Sequence, residues 1–496
     1  MSEDEKQPPV KRYLMGLSPC KHGGQLDRVS EELNLAESDI LDFSASLNPA
    51  GNPFTFEGEN LDIKNLLDIA EAKLGQYPDN RYVELRSAAA SFLGKGIEYD
   101  NIIPGNGSCE LFRLILECII QEGDLAIVPM PCPVEYHNSC RTFGATSQAI
   151  DLSEILHLPK RTIKHSKVIF FSNPNNPTGE LTSREELIEF ASKCAEHHTL
   201  LIVDETFIEM SDPAQSVADL AANNDYLIVI RSITNAFTLP GIRFSYGISS
   251  RRMAERLNSV RLSWNIGAVT ETIATAIMKM EGGPYSKYLE YSRKFIREER
   301  EYIVERLSSL YGFKPLESNT NYILVDIEEH FMDSEKFVEF FAAHGILIRD
   351  CSDFFGGKKY YIRLSVRSRE DFEKLISNLD DVYAESSREA AREKLEETIE
   401  HPEKNAASRG TCSYYPCHFQ GQDCTFCFCP FYACENEKTG GFWIDSATGG
   451  KVWSCESCTF MHQPKIAKKV LDFLMEDGDT DENIQKAWEE VIAPLL

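Results

Sequence analysis

Four polar side chains of different chemistry follow one another through the middle of the chain. They are the amide of Asn176, the carboxylate of Asp204, the hydroxyl of Ser232 and the guanidinium of Arg243. Together such groups supply hydrogen-bond donors and acceptors, one negative charge and a guanidinium that can hold an anion. The set therefore predicts a polar site for an anionic ligand.

The elements that must position these side chains are short apolar runs just before them. The runs cover residues 168–171, 200–203 and 226–230, and a helical pattern from 183 to 197 separates the first two. Continuous β-branched or aromatic runs are typical of strands covered on both faces. Ligands of open α/β sheets bind beyond the carboxyl ends of the strands. We therefore expect an α/β fold with a parallel or mixed sheet and a site at those ends.

Composition limits the classes of function. With 496 residues and 42% hydrophobic residues, the chain is expected to form two or three domains. A formal net charge of −27 repels nucleic acid and anionic lipid. No run approaches 18 apolar residues, and the first six residues lack the order of a signal peptide. We expect a cytoplasmic protein with no nucleic-acid or membrane partner.

The segment from Arg231 to Arg243 resembles the cofactor segment of fold-type I enzymes that depend on pyridoxal 5′-phosphate (PLP), the class I/II aminotransferase superfamily. The resemblance implies a large domain with a mixed or parallel sheet and a small α+β domain. It matches Asn176 to the asparagine that bonds the ring oxygen and Asp204 to the partner of the pyridinium. Ser232 and Arg243 match two phosphate ligands.

Two further segments extend the resemblance. The segment from Pro104 to Glu110 is similar to the loop and helix start that hold the cofactor phosphate, with Gly107, Ser108 and Cys109 as its ligands. Tyr77 is similar to the tyrosine that reaches the phosphate of the neighbouring subunit. That match implies a homodimer.

Asn235 stands where this family has the lysine that holds the cofactor as a Schiff base. A carboxamide nitrogen cannot condense with an aldehyde or carry a proton at neutral pH. No lysine occurs between Lys193 and Lys279, so the local sequence offers no replacement. The predicted catalytic residues are therefore Asn235 and Asp204, and we expect their activity to be weakened or lost. The sequence leaves open whether the asparagine is natural or engineered.

Within the superfamily, residues 15–380 resemble threonine-phosphate decarboxylase of cobalamin biosynthesis, through the segments 22–24, 42–51, 77–79 and 345–351. The resemblance implies a small phosphorylated amino acid, L-threonine O-3-phosphate, as substrate. Two residues depart from that pattern: Ser46 replaces an asparagine, and Pro133 stands where relatives place an aromatic ring over the cofactor. The positions that contact substrate in that family correspond to His22, Gly23, Ser46, Arg349 and Arg363.

Eight of the fifteen cysteines are concentrated near the end of the chain, and they include two CxxC pairs. In a reducing compartment this pattern favours metal thiolates over disulfides. Two tetrahedral zinc sites or an iron–sulfur cluster both remain open. The segment resembles the cysteine-rich small domain attached to archaeal cobalamin-pathway proteins. The predicted ligands are Cys412, Cys417, Cys424, Cys427, Cys429, Cys434, Cys455 and Cys458.

Composition also predicts a domain boundary near residue 384. Before it, the resemblance implies a PLP-dependent module over residues 1–383, with a large domain over about 50–270 and a small domain from the N-terminal segment and about 271–383. Residues 384–410 are predicted as a charged helical linker, 411–463 as the cysteine-rich metal-binding domain and 464–496 as a tail of two short acidic helices.

The sequence therefore favours decarboxylation of threonine phosphate to (R)-1-aminopropan-2-yl phosphate, weakened or lost because of Asn235. One alternative is a catalytically inactive regulatory protein that binds PLP and a phosphorylated amino acid. A second is an aminotransferase acting on histidinol phosphate. A third, an added threonine kinase activity, lacks support from a GxxxxGK[ST] loop.

Overall fold

The computed structural model describes residues 10–15, 20, 23–24, 26–330, 332–401, 412, 415–446, 451–476 and 478–496. The chain divides into two compact units, Met1–Phe372 and Glu373–Leu496. No helix within the described ranges is both long and apolar enough to cross a lipid bilayer. The finer domain boundaries stay a prediction, and 402–411 of the predicted linker and cysteine-rich domain lie outside the described residues.

The described residues of the first unit form three sheets. Its strands are β1 Leu41–Asp42, β2 Ile102–Gly105, β3 Leu125–Met130, β4 Thr146–Asp151, β5 Val168–Ser172, β6 Leu200–Asp204, β7 Leu227–Ser232, β8 Ser245–Ile248, β9 Lys314–Pro315, β10 Tyr322–Asp326, β11 Ile346–Leu347, β12 Arg349–Asp350 and β13 Tyr361–Ser365.

A seven-stranded sheet forms the centre of this unit, in the order β2-β8-β7-β6-β5-β3-β4. The neighbours from β7 through β4 pair in parallel, whereas β8 is antiparallel to both β7 and β2. Every residue of β5, β6 and β7 is buried, which confirms the strands predicted from the apolar runs. The sheet is therefore mixed, and the predicted α/β class is correct.

Helices alternate with the strands along the first unit. They are α1 Leu26–Leu33, α2 Ile63–Glu71, α3 Val83–Leu93, α4 Ser108–Ile119, α5 Val134–Thr142, α6 Leu152–Ile155, α7 Lys160–His165, α8 Arg184–Glu196, α9 Ala218–Ala221, α10 Arg251–Val260, α11 Ala268–Met278, α12 Lys287–Ser308, α13 Ser334–Ala343 and α14 Arg369–Ser377. The predicted helix at 183–197 is α8, whose start is fixed by a reciprocal capping box between Ser183 and Glu186.

Two smaller sheets complete the first unit. One has the antiparallel order β12-β13-β10-β9, and the other pairs β1 with β11 in parallel. Because Leu41 pairs with Ile346, the N-terminal segment is tied to residues three hundred positions later. The four-stranded sheet places Arg349 and Arg363 on neighbouring strands, β12 and β13.

The second unit has its own apolar core. Its helices are α15 Leu379–Glu400, α16 Pro464–Leu474 and α17 Thr480–Ala487, and its strands β14 Phe442–Asp445 and β15 Lys451–Ser454 form a hairpin. Buried residues of α15, the cysteine-rich segment and both tail helices share one cluster: Leu395, Phe426, Met461, Ala467, Val470, Leu474, Ala487, Val491 and Ile492. The predicted acidic character of the first tail helix is wrong, since α16 carries three lysines and one aspartate.

Candidate active site

The strand ends gather the predicted polar residues. Ser172 at the end of β5 pairs with Asp204 at the end of β6, and Asp204 pairs with Ile230 of β7. Asn176 follows β5 after a short loop, and Ser232 is the last residue of β7. Because parallel strands end at one edge of the sheet, these side chains come together without being neighbours in sequence.

Asp204 is buried and held by two donors. The phenol of Tyr136 donates to Asp204 Oδ2 over 2.6 Å, and the backbone N–H of Thr206 donates to Oδ1 over 3.1 Å. Burial raises the pKa of Asp204, while these hydrogen bonds work in the opposite direction. The Tyr136 ring stacks on Phe170 at 4.8 Å between centroids. Sequence reasoning missed Tyr136, which lies 68 residues from its partner.

An anion cup forms at the start of α4. Its N-cap is Gly107, which has a φ of +82° and no side chain to cap the helix. A Cβ at this position would lie 2.7 Å from the Arg243 guanidinium, so glycine lets the cation approach the helix end. The first N–H groups of Ser108 and Cys109 and the positive end of the helix dipole are thus available beside an arginine.

Hydroxyl groups line the neighbouring side of the cup. Ser232 Oγ donates to Thr234 Oγ1 over 2.9 Å, and Ser245 Oγ donates to Ser232 Oγ over the same distance. Arg243 itself has a φ of +54° and donates from Nη1 to the Pro240 carbonyl over 3.1 Å. An N-terminal helix end, hydroxyls and a guanidinium fit a phosphate, and the buried Asp204 fits a protonated pyridine.

The loop that carries Asn235 is held by its backbone. The N–H of Asn48 donates to the Asn235 carbonyl over 3.0 Å, and Asn48 Nδ2 donates to the Ala236 carbonyl over 2.8 Å. Thr238 Oγ1 returns a 3.0 Å hydrogen bond to the Asn48 carbonyl. Within the described residues, the half-buried Asn235 carboxamide has no hydrogen-bond partner of its own. The loop is thus held firmly around a side chain that has no internal role.

Asn176 and Arg363 contact each other. Arg363 Nη1 donates to Asn176 Oδ1, and Arg363 Nη2 donates to the Ser44 carbonyl over 3.2 Å. The structure therefore connects the predicted cofactor and substrate residues directly. Burial lowers the pKa of Arg363, which is 7% exposed.

The other predicted substrate residues lie near the N-terminal segment. The N–H of Gly24 donates to Ser44 Oγ over 2.7 Å, and a Cβ on Gly23 would meet the Ser44 carbonyl at 2.8 Å. Ser46 Oγ is buried without a hydrogen-bond partner among the described residues. Gly23, Ser44 and Arg349 border a cavity of about 580 Å³. The predicted residue His22 lies outside the described residues.

Tyr77 stands apart from this group. Its ring is 79% exposed and packs against Trp264 at 4.5 Å between centroids. Trp264 and the neighbouring Leu262 are also exposed. In a single chain, Tyr77 therefore faces solvent rather than the anion cup.

A buried ion network supports the strand ends and was not predicted. Arg231 Nη1 lies 3.1 Å from Glu205 Oε2, and Arg231 Nε lies 3.2 Å from Glu209 Oε1, with all three side chains at most 2% exposed. Burial raises the pKa of both glutamates, and Arg231 opposes that shift. Since Glu205 follows Asp204 and Arg231 precedes Ser232, the network fixes two site-bearing strands to each other.

The influence of the thiols on one another's pKa separates the eight cysteines of the second unit into two sets of four. Burial raises the pKa of Cys427, and the charges of Cys417, Cys412 and Cys424 add to the shift. Burial likewise raises the pKa of Cys429, and Cys455, Cys458 and Cys434 add to it. Gln422 Nε2 contacts two thiols of the first set, at 3.0 Å from Cys417 Sγ and 3.5 Å from Cys424 Sγ. Among the described residues, no three potential ligands are arranged as a preformed metal site.

Comparison with known families gives two matches along the chain. The family described as Aminotransferase class I and II matches residues 51–379, and the Cysteine-rich small domain matches residues 403–485. The first match contains the predicted site residues from Tyr77 to Arg363. The second contains all eight clustered cysteines.

Individual relatives resemble the first unit. A protein of Caldanaerobacter subterraneus subsp. tengcongensis with the provisional name threonine-phosphate decarboxylase is 30% identical over 74% of this chain and 95% of its own length. Histidinol-phosphate aminotransferase of Thermoanaerobacter pseudethanolicus is 30% identical over 67% of this chain and 91% of its own. The crystal structure of histidinol-phosphate aminotransferase from Clostridium acetobutylicum superposes with a TM-score of 0.60 at 27% identity, over 69% of this chain and 99% of that one.

Proposed function

Because the chain belongs to the class I and II aminotransferase family, we propose that its strand-end site binds PLP and decarboxylates L-threonine O-3-phosphate to (R)-1-aminopropan-2-yl phosphate, slowly because of Asn235. This reaction would serve cobalamin biosynthesis. The contact that carries the proposal is the Arg243 guanidinium against Gly107 at the uncapped start of α4. It supports a cup for a phosphate beside a buried carboxylate.

Each side chain of the proposed site would have a separate role. PLP, when bound, supplies an electron sink for the electron pair left by cleavage of a carbon–carbon bond. Asp204, oriented by Tyr136, would hold a proton at the pyridine nitrogen. Arg363 would hold the substrate carboxylate through paired hydrogen bonds. Asn176 would donate from Nδ2 to the ring oxygen while its Oδ1 accepts from Arg363.

Asn235 is the limiting residue in this account. Its carboxamide can accept or donate a hydrogen bond, but it cannot take up a proton or form a covalent bond with an aldehyde. General acid–base assistance contributes about 10²–10⁴-fold to a rate. We therefore expect this site to keep its affinity for PLP and substrate although turnover is slow, because the hydrogen bonds from Asn48 hold the loop in place.

Two other functions are separable from this one. An inactive binding protein is favoured by Asn235, and an aminotransferase acting on histidinol phosphate is favoured by the relatives that carry that name. Product analysis on an Asn235→Lys variant loaded with PLP distinguishes the two reactions. Threonine phosphate should yield CO2 and an amino alcohol phosphate. Glutamate formed from histidinol phosphate and 2-oxoglutarate, with no CO2 from threonine phosphate, would contradict the decarboxylase assignment.

A second copy of the chain completes this account. Tyr77, Leu262 and Trp264 form an exposed apolar surface, which is unusual unless a partner covers it. In the homodimer that we propose, Tyr77 reaches the anion cup of the other copy. Sedimentation of Tyr77→Ser and Trp264→Ser variants tests this, because loss of the apolar surface should shift the protein towards monomer.

For the second unit we propose that the eight clustered cysteines bind metal. The first set, Cys412, Cys417, Cys424 and Cys427, and the second set, Cys429, Cys434, Cys455 and Cys458, each match the four thiolates of a tetrahedral zinc site. Iron–sulfur ligation by the same thiolates is the alternative. The small apolar core of this unit supports a structural role for the metals.

A further inference from the structure

The two predicted substrate arginines lie directly opposite each other. Arg349 of β12 and Arg363 of β13 are partners in an antiparallel register pair. The guanidinium carbons lie 5.0 Å and 5.8 Å from the Phe354 ring centroid, so both cations contact the same aromatic ring. Both arginines are buried. Burial is the main cause that lowers the pKa of Arg363, and the charge of Arg349 lowers it further. Two like charges thus share one wall of the site.

The arginines differ in their partners. Arg349 Nη2 lies 2.7 Å from Asp353 Oδ2 in an ion pair whose side chains are 9% and 20% exposed. Arg363 has no carboxylate partner among the described residues, and its Nε has no hydrogen-bond partner there. Its other nitrogens contact an amide oxygen and a backbone carbonyl. Arg363 therefore keeps its charge for a ligand carboxylate, whereas the charge of Arg349 is already neutralised.

Asp353 brings a carboxylate close to the same two arginines, since it pairs with Arg349 and its charge also acts on Arg363. Its second oxygen, Oδ1, is buried and has no hydrogen-bond partner among the described residues. A buried acceptor without a partner is rare in folded proteins and is satisfied by a donor from a ligand or water. A dianionic phosphate offers acceptors only and would be repelled by this carboxylate.

We propose that Asp353 sets the selectivity of the site for the group that lies distal to the ligand carboxylate. While Asp353 holds Arg349, the site accepts a hydrogen-bond donor such as the hydroxyl of threonine. A phosphate binds only after it displaces the Asp353 carboxylate from Arg349, so the carboxylate lowers the affinity for the phosphorylated amino acid. This inference rests on the proposed function, because it takes Arg363 as the carboxylate site of an amino acid.

Affinity ratios test the proposal. The dissociation constants of L-threonine and L-threonine O-3-phosphate are measured by calorimetry at pH 7.5 on the full chain saturated with PLP. Asp353→Asn should shift the ratio towards threonine phosphate by about tenfold, because it removes a close negative charge and keeps an acceptor. Asp371→Asn is the matched control, since Asp371 forms a similar pair with Arg367 and should leave the ratio unchanged.

An experiment on the unmodified chain is independent of any variant. L-2-Aminobutyrate has the carbon skeleton of threonine without the hydroxyl, so it cannot donate to Asp353 Oδ1. It should bind about tenfold more weakly than threonine, because it leaves the buried acceptor unpaired. Two results would overturn this inference and leave the proposed function standing. One is equal affinity for L-2-aminobutyrate and threonine, and the other is a ratio of threonine to threonine phosphate affinity that Asp353→Asn leaves unchanged. Failure of threonine phosphate to bind to the unmodified chain and to either aspartate variant would overturn both.

Discussion

The backbone N–H of Asn48 donates a 3.0 Å hydrogen bond to the carbonyl of Asn235, and the two residues are 187 positions apart in the chain. The buried side chain of Asn48 reaches three more groups, the Ala236 carbonyl, Tyr288 and Ser292. These hydrogen bonds hold the loop in place whatever side chain stands at position 235. We therefore expect the proposed site to keep its shape for ligands although it has no lysine there.

Tyr136→Phe should weaken PLP binding by about tenfold. The phenol donates to a buried carboxylate, and a hydrogen bond to a charged group contributes about 1.5 kcal/mol or more. Without that bond, the pKa of Asp204 rises further, so the carboxylate is ionised over a narrower range and pairs less well with the pyridinium at low pH. Absorbance titrations with PLP between pH 6 and pH 8 measure the effect.

Tyr226→Phe is the control for this variant. Its phenol lies 2.8 Å from His198 Nδ1 beside the opposite end of β7, so it removes a similar contact away from the site. Equal PLP affinity in Tyr136→Phe and the unmodified chain at every pH would show that Tyr136 has no part in holding Asp204.

Arg363→Lys should lower the affinity for threonine phosphate by about tenfold to a hundredfold. A lysine keeps the charge but loses the paired geometry that a carboxylate prefers. The product (R)-1-aminopropan-2-yl phosphate lacks the carboxylate, so its affinity should stay within about twofold of the unmodified value. Competition titrations compare both ligands, and an equal loss for the two would assign Arg363 to another group of the substrate.

Arg231→Met should destabilise the first unit by about 3–5 kcal/mol at pH 7, because it leaves two carboxylates buried without their cation. The pKa values of Glu205 and Glu209 are already raised by burial and would rise further. A carboxyl group with a raised pKa in the folded state costs stability above that pKa, so the deficit should shrink as the pH falls to 5.

Denaturant unfolding of the full chain at both pH values measures this difference. Arg251→Met breaks an exposed ion pair with Glu98 and should change stability by less than about 1 kcal/mol. A deficit in Arg231→Met that stays constant from pH 7 to pH 5 would contradict an electrostatic origin.

Metal removal should unfold the second unit alone. Elemental analysis should find two zinc ions per chain, and serine at Cys424 or at Cys455 should each remove one, since the two residues belong to different sets. A chelator should then melt this unit first. Serine at Cys118, an exposed cysteine of the first unit, is the control and should keep both ions. Loss of all metal from either single variant would instead indicate one shared cluster.

The sequence predicted the parts of this structure that local pattern determines. Apolar runs identified β5, β6 and β7, and the motif at Gly107 lies at the start of α4 beside the Arg243 guanidinium. Local sequence pattern does not predict contacts between segments that lie far apart in the chain. The Tyr136 phenol meets Asp204 because α5 follows β3, and β3 lies beside β5 in the sheet, an order that no local pattern encodes.

Asp353 shows a further limit of sequence reasoning. The resemblance predicts that Arg349 contacts substrate, and the partner that neutralises its charge is four residues away. An aspartate at this spacing is common on surfaces, so only its burial and the unpaired Oδ1 distinguish it. In the second unit, the prediction that α16 is acidic was wrong because this helix carries three lysines. The prediction rested on the composition of the whole tail and not on that of each helix.

The most direct test of the central claim compares the unmodified chain with Asn235→Lys and Asn235→Gln in one experiment. Each is mixed with PLP and L-threonine O-3-phosphate, and the visible spectrum and CO2 release are recorded together. We predict that all three bind PLP, that only the lysine variant releases CO2 rapidly, and that its rate exceeds the others by at least about 10²-fold. Rapid CO2 release by the unmodified chain, or none from the lysine variant with PLP bound, would contradict the account.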